Sequence, residues 1–414
     1  METIEAKAKF EKYPAYKDSG VDWLGEIPKN WKVYPGLKFL FENKSKNTGM
    51  QRHTVLSLSY GNIRVKRQEE LTGLVPESFE TYQFVNKGDL IFRPTDLQND
   101  KVSLRSGISE FEGIITNAYL NLRFKDIAIP KFYHYFFRAL DNNKIIYGLG
   151  SGLRQNISYL DFRRFDFPFP PRKEQIAIAN FLDEKTAKID QAIEKKQKMI
   201  ALLKERKQII IQNAVTKGLD PNVKMKDSGV EWIGEIPEGW EVKKLKYLLK
   251  IRNGQEYKHV VAESGFPVFG SGGVFAYATD YLYDGEALLL GRKGTIDKPL
   301  YVNEKFWTVD TMFYAIVKNK YSTRFLYFLA LTIPFNLYIT STALPSMTQD
   351  DLNNHKVAVP NGNEQIQILN FLDVQLEKIN KSISLHQTQI EKLKEYKAVL
   401  IDTAVTGKIK VPGV

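Results

Sequence analysis

The feature that most constrains this chain is a long helix-forming segment that occurs twice. Residues 174–190 read EQIAIANFLDEKTAKID and residues 364–380 read EQIQILNFLDVQLEKIN, with the same residue at ten positions. Neither segment contains proline or glycine, and apolar residues recur every three or four positions for about four heptads, as in a coiled-coil partner. A chain that makes the same long helix twice uses it as a scaffold.

The apolar seam of each helix predicts a helix–helix contact. Its positions are Ala179, Leu182, Thr186, Ile189, Ile193, Lys196, Ile200, Leu203 and Ile210 in the first copy, and Leu369, Leu372, Leu376, Ile379, Ile383, His386, Ile390 and Leu393 in the second. A polar residue falls at the same seam position in both copies, Lys196 and His386, which weakens the seam but fixes its register. Two arrangements remain open. The two helices pack on each other in antiparallel fashion, which we favour, or each packs on its own globular domain.

A second repeat precedes each helix. DSGVDWLGEIPKNW (18–31) returns as DSGVEWIGEIPEGW (227–240), and we call these segments the corners. The order is therefore corner, variable block and long helix, twice, which predicts a pseudo-twofold α+β protein. Two mixed α/β domains would be separated by a long antiparallel two-helix coiled coil. The predicted parts are an N-terminal corner (1–31), module 1 (32–171), a central helix (172–217), the repeated corner (218–240), module 2 (241–360) and a C-terminal helix (361–414).

Both modules read as short strands followed by a helix. Module 1 has candidate strands at 54–60, 89–93 and 118–124 and a helix from Lys131 to Leu140. Module 2 has candidate strands at 286–291 and 306–317 and a helix from Thr323 to Leu331. Near the end of each module, a Ser or Thr followed by Asp predicts the N-cap of a short helix. The Gly-rich segment 269–275 is either a plain hairpin turn or a backbone loop held near a ligand.

The charge distribution points to nucleic acid. The net charge is +11, of which residues 31–170 carry +6 and residues 240–360 carry +3, whereas the second helix (364–400) is neutral. Basic modules indicate contacts with phosphates, and base edges are read by Arg, Lys, Asn, Gln, Ser and Thr. The candidate DNA-binding residues on turn-rich segments are Arg64, Lys66, Arg67, Arg93, Thr95, Gln98, Arg154, Gln155, Asn156, Lys258, His259, Ser271, Arg292, Lys293, Thr295 and Ser346. Each of them also has the plain interpretation of a solvated surface residue.

The sequence offers no catalytic or metal-binding motif. Without cysteine there is no disulfide, thiolate zinc site or Cys nucleophile, and the five histidines lack metal-ligand spacing. There is no P-loop, no GxSxG motif and no acid-Pro-Pro-aromatic motif of amino-methylating enzymes. No apolar segment approaches the length of a membrane span and the N-terminus is polar, so we expect a cytoplasmic protein without a secretory signal.

The two corners, the two EQIxIxNFLD helices and the alternation of frame and variable block resemble the specificity subunit of type I restriction-modification systems over essentially the whole chain. The resemblance implies that each module is a target recognition domain reading one half of a bipartite, asymmetric DNA site. The coiled coil would set the spacer between the halves. The chain itself would be non-catalytic and would hold no cofactor. It would recruit two modification subunits, which bind S-adenosylmethionine and methylate adenine, and restriction subunits, which are ATP- and Mg-dependent translocase-nucleases.

Two further expectations concern partners. A pseudo-twofold frame presents the same surface twice, so Trp23 and Trp232 in the two corners are candidates for binding the modification subunits, although packing is the plainer role of these rings. The competing interpretations are a stand-alone sequence-specific DNA-binding regulator and an enzyme that acts on DNA by itself. A regulator would bind its target without companions.

Overall fold

The computed structural model describes residues 10–71, 78–97, 99, 104–149, 156–318, 320–338 and 345–414. Its α-helices are α1 (Pro130–Asn142), α2 (Tyr159–Arg164), α3 (Arg172–Lys217), α4 (Thr323–Ala330), α5 (Gln349–Asn354) and α6 (Gly362–Val405). The strands before α3 are β1 (Tyr16–Asp18), β2 (Glu26–Pro28), β3 (Lys32–Pro35), β4 (Leu40–Glu42), β5 (Leu56–Ser59), β6 (Asn62–Val65), β7 (Gln83–Val85), β8 (Leu90–Phe92), β9 (Ser106–Ile108), β10 (Gly113–Ile115), β11 (Leu120–Phe124) and β12 (Asp166–Phe169). Those after it are β13 (Met225–Asp227), β14 (Glu235–Pro237), β15 (Glu241–Lys244), β16 (Leu249–Asn253), β17 (Val261–Ala262), β18 (Phe266–Gly270), β19 (Gly273–Ala278), β20 (Tyr283–Gly291), β21 (Leu300–Thr308), β22 (Met312–Val317) and β23 (Lys356–Val359).

The chain forms two compact units, of which the first combines both ends of the chain and the second is one continuous segment. Unit 1 contains Met1–Lys196 and Thr388–Val414, and unit 2 contains Gln197–Gln387. Each unit thus combines one module with the first half of one long helix and the second half of the other. The two long helices were expected from the repeat, and both are continuous.

Inside each unit the two half-helices run in opposite directions. In unit 1 Lys397 donates to Asp190 at 2.7 Å, and Lys196 donates to the Gln389 side chain at 2.7 Å. The residue number rises along α3 while that of its partner falls along α6, which defines an antiparallel pair. In unit 2 the equivalent of the first contact is Lys207 to Asn380, at 3.0 Å. The predicted antiparallel coiled coil is confirmed.

The seam between the helices is apolar, as the heptad pattern predicted. In unit 1 Leu182 and Ile189 of α3 belong to the same buried cluster as Leu400 and Ile401 of α6. In unit 2 the predicted seam residues Leu372 and Leu376 of α6 are buried, and Ile210 of α3 and Leu369 of α6 are partly buried beside them. The other buried helix residues of this cluster, which the predicted seam did not include, are Ile211, Ala214, Val215 and Ile368. Since fully burying a Leu or Ile side chain stabilises by about 1.5–3 kcal/mol, this seam dominates the helix pairing. The exposed ion pairs beside it contribute less than about 1 kcal/mol each.

The two modules share one antiparallel sheet order. In module 1 the four strands lie in the order β4-β11-β8-β9, and in module 2 the order β16-β22-β20-β21 begins a larger sheet that continues into β18-β19-β17. In each module a helix, α1 or α4, follows the second strand in this order and packs with it in the apolar core. The aromatic side chains Phe132, Phe136 and Phe137 of α1 are fully buried in module 1.

The repeated EQI residues fasten the corner and the module to the start of each long helix. The Trp31 indole donates to the Glu174 carboxylate at 2.8 Å, and the Trp240 indole donates to Glu364 at 2.9 Å. The glutamine that follows each glutamate, Gln175 or Gln365, makes the same pair of hydrogen bonds to the backbone in both units. The Gln175 side chain accepts from the Ile129 backbone N–H at the start of α1 and donates to the carbonyl oxygen of Pro170.

In unit 2 Gln365 accepts from the Ser322 backbone N–H, which precedes α4, and donates to the carbonyl oxygen of Pro360. The aspartate of NFLD completes the attachment. Asp183 accepts from Lys131 at 2.8 Å, and Asp373 pairs with Arg324. The repeated sequence is therefore a docking frame for the module that precedes it.

Two details of the predicted secondary structure were tested by the coordinates. The short helices α2 and α5 each begin with a capping box, Ser158 with Asp161 and Thr348 with Asp351, as predicted. The predicted strand 306–317 is wrong, because β21 ends at Thr308 and β22 begins at Met312. The Met312 N–H bonds back to the carbonyl oxygen of Val309, which reverses the chain around Asp310.

Candidate nucleic-acid interface

In module 1 several predicted DNA-binding residues meet at the end of the sheet where the inner strand β8 finishes. Arg93 and Thr95 follow β8 directly, and the side chain of Asn156 accepts from the Asp96 backbone N–H at 3.3 Å. The Ile157 N–H donates to the carbonyl oxygen of Pro94 at 2.9 Å. Residues distant in sequence are therefore joined in one loop cluster.

A buried arginine that the sequence analysis missed holds this loop. Arg105 is fully buried, and its guanidinium donates to the carbonyl oxygens of Thr95 at 2.7 Å and Asp96 at 3.0 Å. Its backbone N–H donates to Asp141 at 2.9 Å, and burial raises the pKa of that carboxyl. A desolvated cation that is satisfied largely by loop carbonyls fixes the loop backbone strongly.

The hairpin between β5 and β6 ends at the same edge. Its tip residue Gly61 accepts a hydrogen bond from Arg138 at 2.9 Å through its carbonyl oxygen. A methyl group on Gly61 would lie 2.8 Å from Cβ of Leu104, so the tip packs directly against the residue before Arg105. We call the set Tyr60–Asn62, Arg93–Asp96, Arg105 and Asn156 the module 1 edge.

Module 2 presents an equivalent edge. Arg292, Lys293 and Thr295 follow β20, the strand that corresponds to β8 in the shared sheet order. Lys293 forms a β-bridge with Ser346, and a methyl group on Gly294 would lie 3.1 Å from Oγ of Ser271.

The loop of module 2 is held mainly through its backbone. The Gly294 N–H donates to Pro345 at 2.9 Å, and the Met347 N–H donates to Arg292 at 2.9 Å. The Arg292 side chain donates to the carbonyl oxygen of Asp310 at 3.2 Å. We call Ser271–Gly273, Arg292–Thr295 and Ser346 the module 2 edge. In the Gly-rich segment, Ser271 and Gly272 form the turn of the β18–β19 hairpin, so the hairpin interpretation is confirmed, whereas a position beside DNA stays a prediction.

Other predicted DNA-binding residues do not belong to either edge as defined. Arg64 lies in β6 and pairs with Glu70 at 2.7 Å, which lowers the pKa of that carboxyl. Lys66 and Arg67 come directly after the end of β6, and the Arg67 backbone N–H donates to the Glu70 carboxylate. Lys258 and His259 lie in a short turn, where the His259 ring contacts Trp307. Gln98, Arg154 and Gln155 lie outside the described residues.

The corner tryptophans Trp23 and Trp232 pack on their own modules. Trp23 stacks on Phe165 with ring centroids 5.5 Å apart, and Trp232 stacks on His355 at 4.3 Å. His355 is buried, and burial lowers its pKa to about 4. Packing is thus a demonstrated role of both rings, while 37% of the Trp232 surface remains exposed.

The described part of the chain contains no group of three or more His, Cys, Asp or Glu side chains that could hold a metal ion. Within the same residues, no helix has the length and apolar character needed to cross a membrane.

The chain is similar to known proteins in sequence and in fold. Residues 237–395 match the family described as Type I restriction modification DNA specificity domain. The putative type I restriction enzyme MjaX specificity subunit of Methanocaldococcus jannaschii is 25% identical, over 94% of this chain and 96% of the relative. The MjaVIII specificity subunit of the same organism is 23% identical, over 72% of this chain and 75% of the relative.

The fold also occurs in a solved structure. A chain from a study of complex assembly and conformational transition of the type I R-M system aligns with a TM-score of 0.65 and 15% identity, over 92% of this chain and 98% of that one. The family match, the relatives and the shared fold together support a specificity subunit, the DNA-sequence-recognition component of a type I system, as the repeats predicted. The alternative of a stand-alone regulator is not favoured.

Proposed function

We propose that module 1 and module 2 each read one half of a bipartite, asymmetric DNA site, through the module 1 edge and the module 2 edge. The observation that supports this most directly is the shared geometry of the edges. The third strand of the shared sheet order is β8 in module 1 and β20 in module 2. In both modules the loop after this strand lies at the same end of the sheet as a hairpin tip, beside the segment that precedes the short helix α2 or α5. The side chains placed there differ, which is what two unlike half-sites require.

The chemistry of the edges suits base and phosphate contacts. Arg93 and Arg292 occupy the same position after the third strand, and a guanidinium can donate two hydrogen bonds to guanine in the major groove. Thr95, Asn156, Ser271 and Ser346 offer hydroxyl and amide groups that can donate or accept. Lys293 would contact phosphates, which strengthens binding without reading sequence.

The frame would have two tasks, spacing and recruitment. A continuous antiparallel coil would keep the two half-sites at a set separation. The repeated corners, including Trp23 and Trp232, with the outer faces of α3 and α6, would bind two modification subunits and, through the complex, restriction subunits. We infer that the chain is cytoplasmic and carries no catalytic centre, so that S-adenosylmethionine, ATP and Mg would be held by its partners.

The matched variants Arg93→Ala and Arg292→Ala test the assignment of half-sites. The full chain would be co-expressed with its modification subunits, and methylated adenines would be mapped across the host genome. The unchanged protein should give one bipartite motif. Each variant should relax or weaken one half of it, because each loses contacts worth about 1–3 kcal/mol at one position. A contiguous motif, or two variants that alter the same bases, would contradict the proposal.

The spacing role has its own test. One heptad would be inserted after Lys196 and another after Gln387, which are the unit boundaries on α3 and α6. Seven residues add roughly 10 Å of helix, or about three base pairs of spacer. The methylation motif should keep both half-sites and gain a longer gap. An unchanged gap would show that the coil does not set the spacing.

A further inference from the structure

The tip of the β5–β6 hairpin carries a tyrosine in an unfavourable conformation. Ser59 pairs with Asn62, so Tyr60 and Gly61 form a two-residue turn, and both have positive φ, +48° and +74°. Asparagine or glycine is normally preferred at the first position of such a turn, because a large side chain in the left-handed region is strained. The Tyr60 side chain gains no burial in return, since 91% of its surface is exposed.

The strained tip is nevertheless firmly held at the module 1 edge. Arg138 donates to the carbonyl oxygen of Gly61, and the tip packs against Leu104, next to Arg105. Burial of the Arg138 guanidinium lowers its pKa, a sign of the desolvation cost that this anchor carries. The backbone below the exposed Tyr60 ring is thus held rigidly. We expect such a ring to contact a partner outside the protein.

We propose that Tyr60 is a wedge that stacks on a base of the duplex, next to the half-site read by module 1. This inference rests on the proposed function and adds a specific contact to it. Its partner is the face of a base at a deformable step, not a hydrogen-bonding edge. Aromatic and apolar side chains inserted in this way unstack a base step and bend the duplex.

The wedge would act in one module alone. The corresponding tip in module 2 consists of Ser271 and Gly272, between the paired residues Gly270 and Gly273. Neither turn residue carries a ring, and the nearest exposed ring, that of Phe275, packs against Gly270 at the base of the turn. The two half-sites should therefore differ in how strongly the flanking step is unstacked.

Three variants test the wedge, each as the full chain in complex with its modification subunits: Tyr60→Asn, Tyr60→Phe and the control Phe111→Asn. Phe111 is also an exposed aromatic residue of module 1, 43% accessible, but it lies in the β9–β10 turn, at the end of the sheet where β8 begins. The wild-type motif would first be selected from a pool of random-sequence duplexes. Affinity would then be measured on a duplex with that motif and on one with 2-aminopurine at the flanking steps, whose fluorescence rises on unstacking.

We expect Tyr60→Asn to melt at the wild-type temperature or above, because asparagine suits the turn, and yet to bind about five- to 150-fold more weakly. In this variant the rise in 2-aminopurine fluorescence should be lost for the label next to the module 1 half-site, and the label next to the module 2 half-site should be unaffected. Tyr60→Phe should keep both affinity and signal, and Phe111→Asn should bind as the wild type does.

Wild-type affinity and signal in Tyr60→Asn would overturn the wedge, as would a loss of binding matched by a lower melting temperature. If the wild-type complex selects no bipartite motif from the pool, the proposed function itself fails, and the inference fails with it. If the motif is found and Tyr60→Asn keeps wild-type affinity and signal, the proposed function stands and the wedge alone is rejected.

Discussion

The two long helices offer a matched test of how firmly each corner is fastened to its unit. Glu174 accepts hydrogen bonds from the Tyr13 hydroxyl at 3.1 Å, the Asn30 side chain at 2.5 Å and the Trp31 indole at 2.8 Å. Burial and the neighbouring carboxylate raise the pKa of Tyr13, so this hydroxyl remains a donor at all ordinary pH values. The equivalent residue Glu364 accepts from the Trp240 indole.

The expected cost of removing each carboxylate follows from the donors it would leave behind. In Glu174→Ala, the buried donors of Tyr13 and Trp31 lose their acceptor, while the exposed Asn30 can turn to water. A buried unsatisfied donor costs about 1–3 kcal/mol, so this variant should lose about 2–6 kcal/mol of local stability. Glu364→Ala leaves one such donor and should lose about 1–3 kcal/mol.

Hydrogen exchange resolved by peptide mass spectrometry measures this difference locally, which matters because two units need not unfold as one. Glu174→Ala should speed exchange in the corner at 18–31, and Glu364→Ala should speed it less in the corner at 227–240. Lys173→Ala, an exposed change in the same helical turn as Glu174, controls for helix propensity. Equal acceleration in both corners, or a larger effect of Glu364→Ala, would refute the reasoning from counted donors.

Three further predictions follow from single residues. Arg105→Met should relax the half-site read by module 1 in methylation mapping and leave the other half unchanged, because the recognition loop loses its buried anchor. Gly407→Ala should cost about 2–5 kcal/mol in thermal unfolding, since its φ is +73° and a methyl group there would lie 2.4 Å from Pro28. Gly218→Ala, at φ +77° with no contact closer than 3.3 Å, should cost about 1–2 kcal/mol. His355, neutral when folded because its pKa is lowered to about 4, should make unit 2 lose up to about 3 kcal/mol as the pH falls from 6.5 to 4, and a His355→Phe variant should lose this acid sensitivity.

Each of these predictions has a control within the chain. Arg123 pairs with Asp89, beside the start of β8, so Arg123→Met should weaken module 1 without changing its half-site. For the histidine the control is the other unit, where Phe165 stacks on the corner tryptophan in the same way and does not titrate. Loss of half-site specificity in Arg123→Met, or acid sensitivity that survives in His355→Phe, would show that the cause lies elsewhere.

The frame could be predicted from the sequence because its signals are local and occur twice. Helix periodicity and the serine or threonine caps are short-range patterns, and repetition separates them from chance. The strand assigned to 306–317 failed because a continuous apolar run also accommodates a tight turn. Asp310 was the one charged residue in that segment, and the apolar residues on both sides of it concealed the break.

The candidate site was only partly predictable, since long-range pairing assembles it. Arg93, Thr95 and Asn156 were chosen as polar residues in turns, and the strand order β4-β11-β8-β9 brings them together. Arg105 was overlooked because its role depends on burial against carbonyl groups. An arginine in the segment before a strand reads as a surface residue in any local window. Tyr60 fell at the end of the candidate strand 54–60, and its positive φ could not be predicted from the sequence.

Unit 1 is built from both ends of the chain, so it can fold completely only after the whole chain has been synthesised. Its core includes Leu400, Ile401 and Val405 from the end of the chain, and Gly407 packs on Pro28 and Trp31 of the first corner. Lys408 also donates to the carbonyl oxygen of Leu24 at 2.9 Å. The corner and module synthesised first therefore cannot complete their packing until the last residues are made. A chain that ends before residue 388 would lack all of these contacts, and its module 1 should exchange amide hydrogens as an incompletely packed domain. Unit 2, whose residues 197–387 would all be present, should keep its protection.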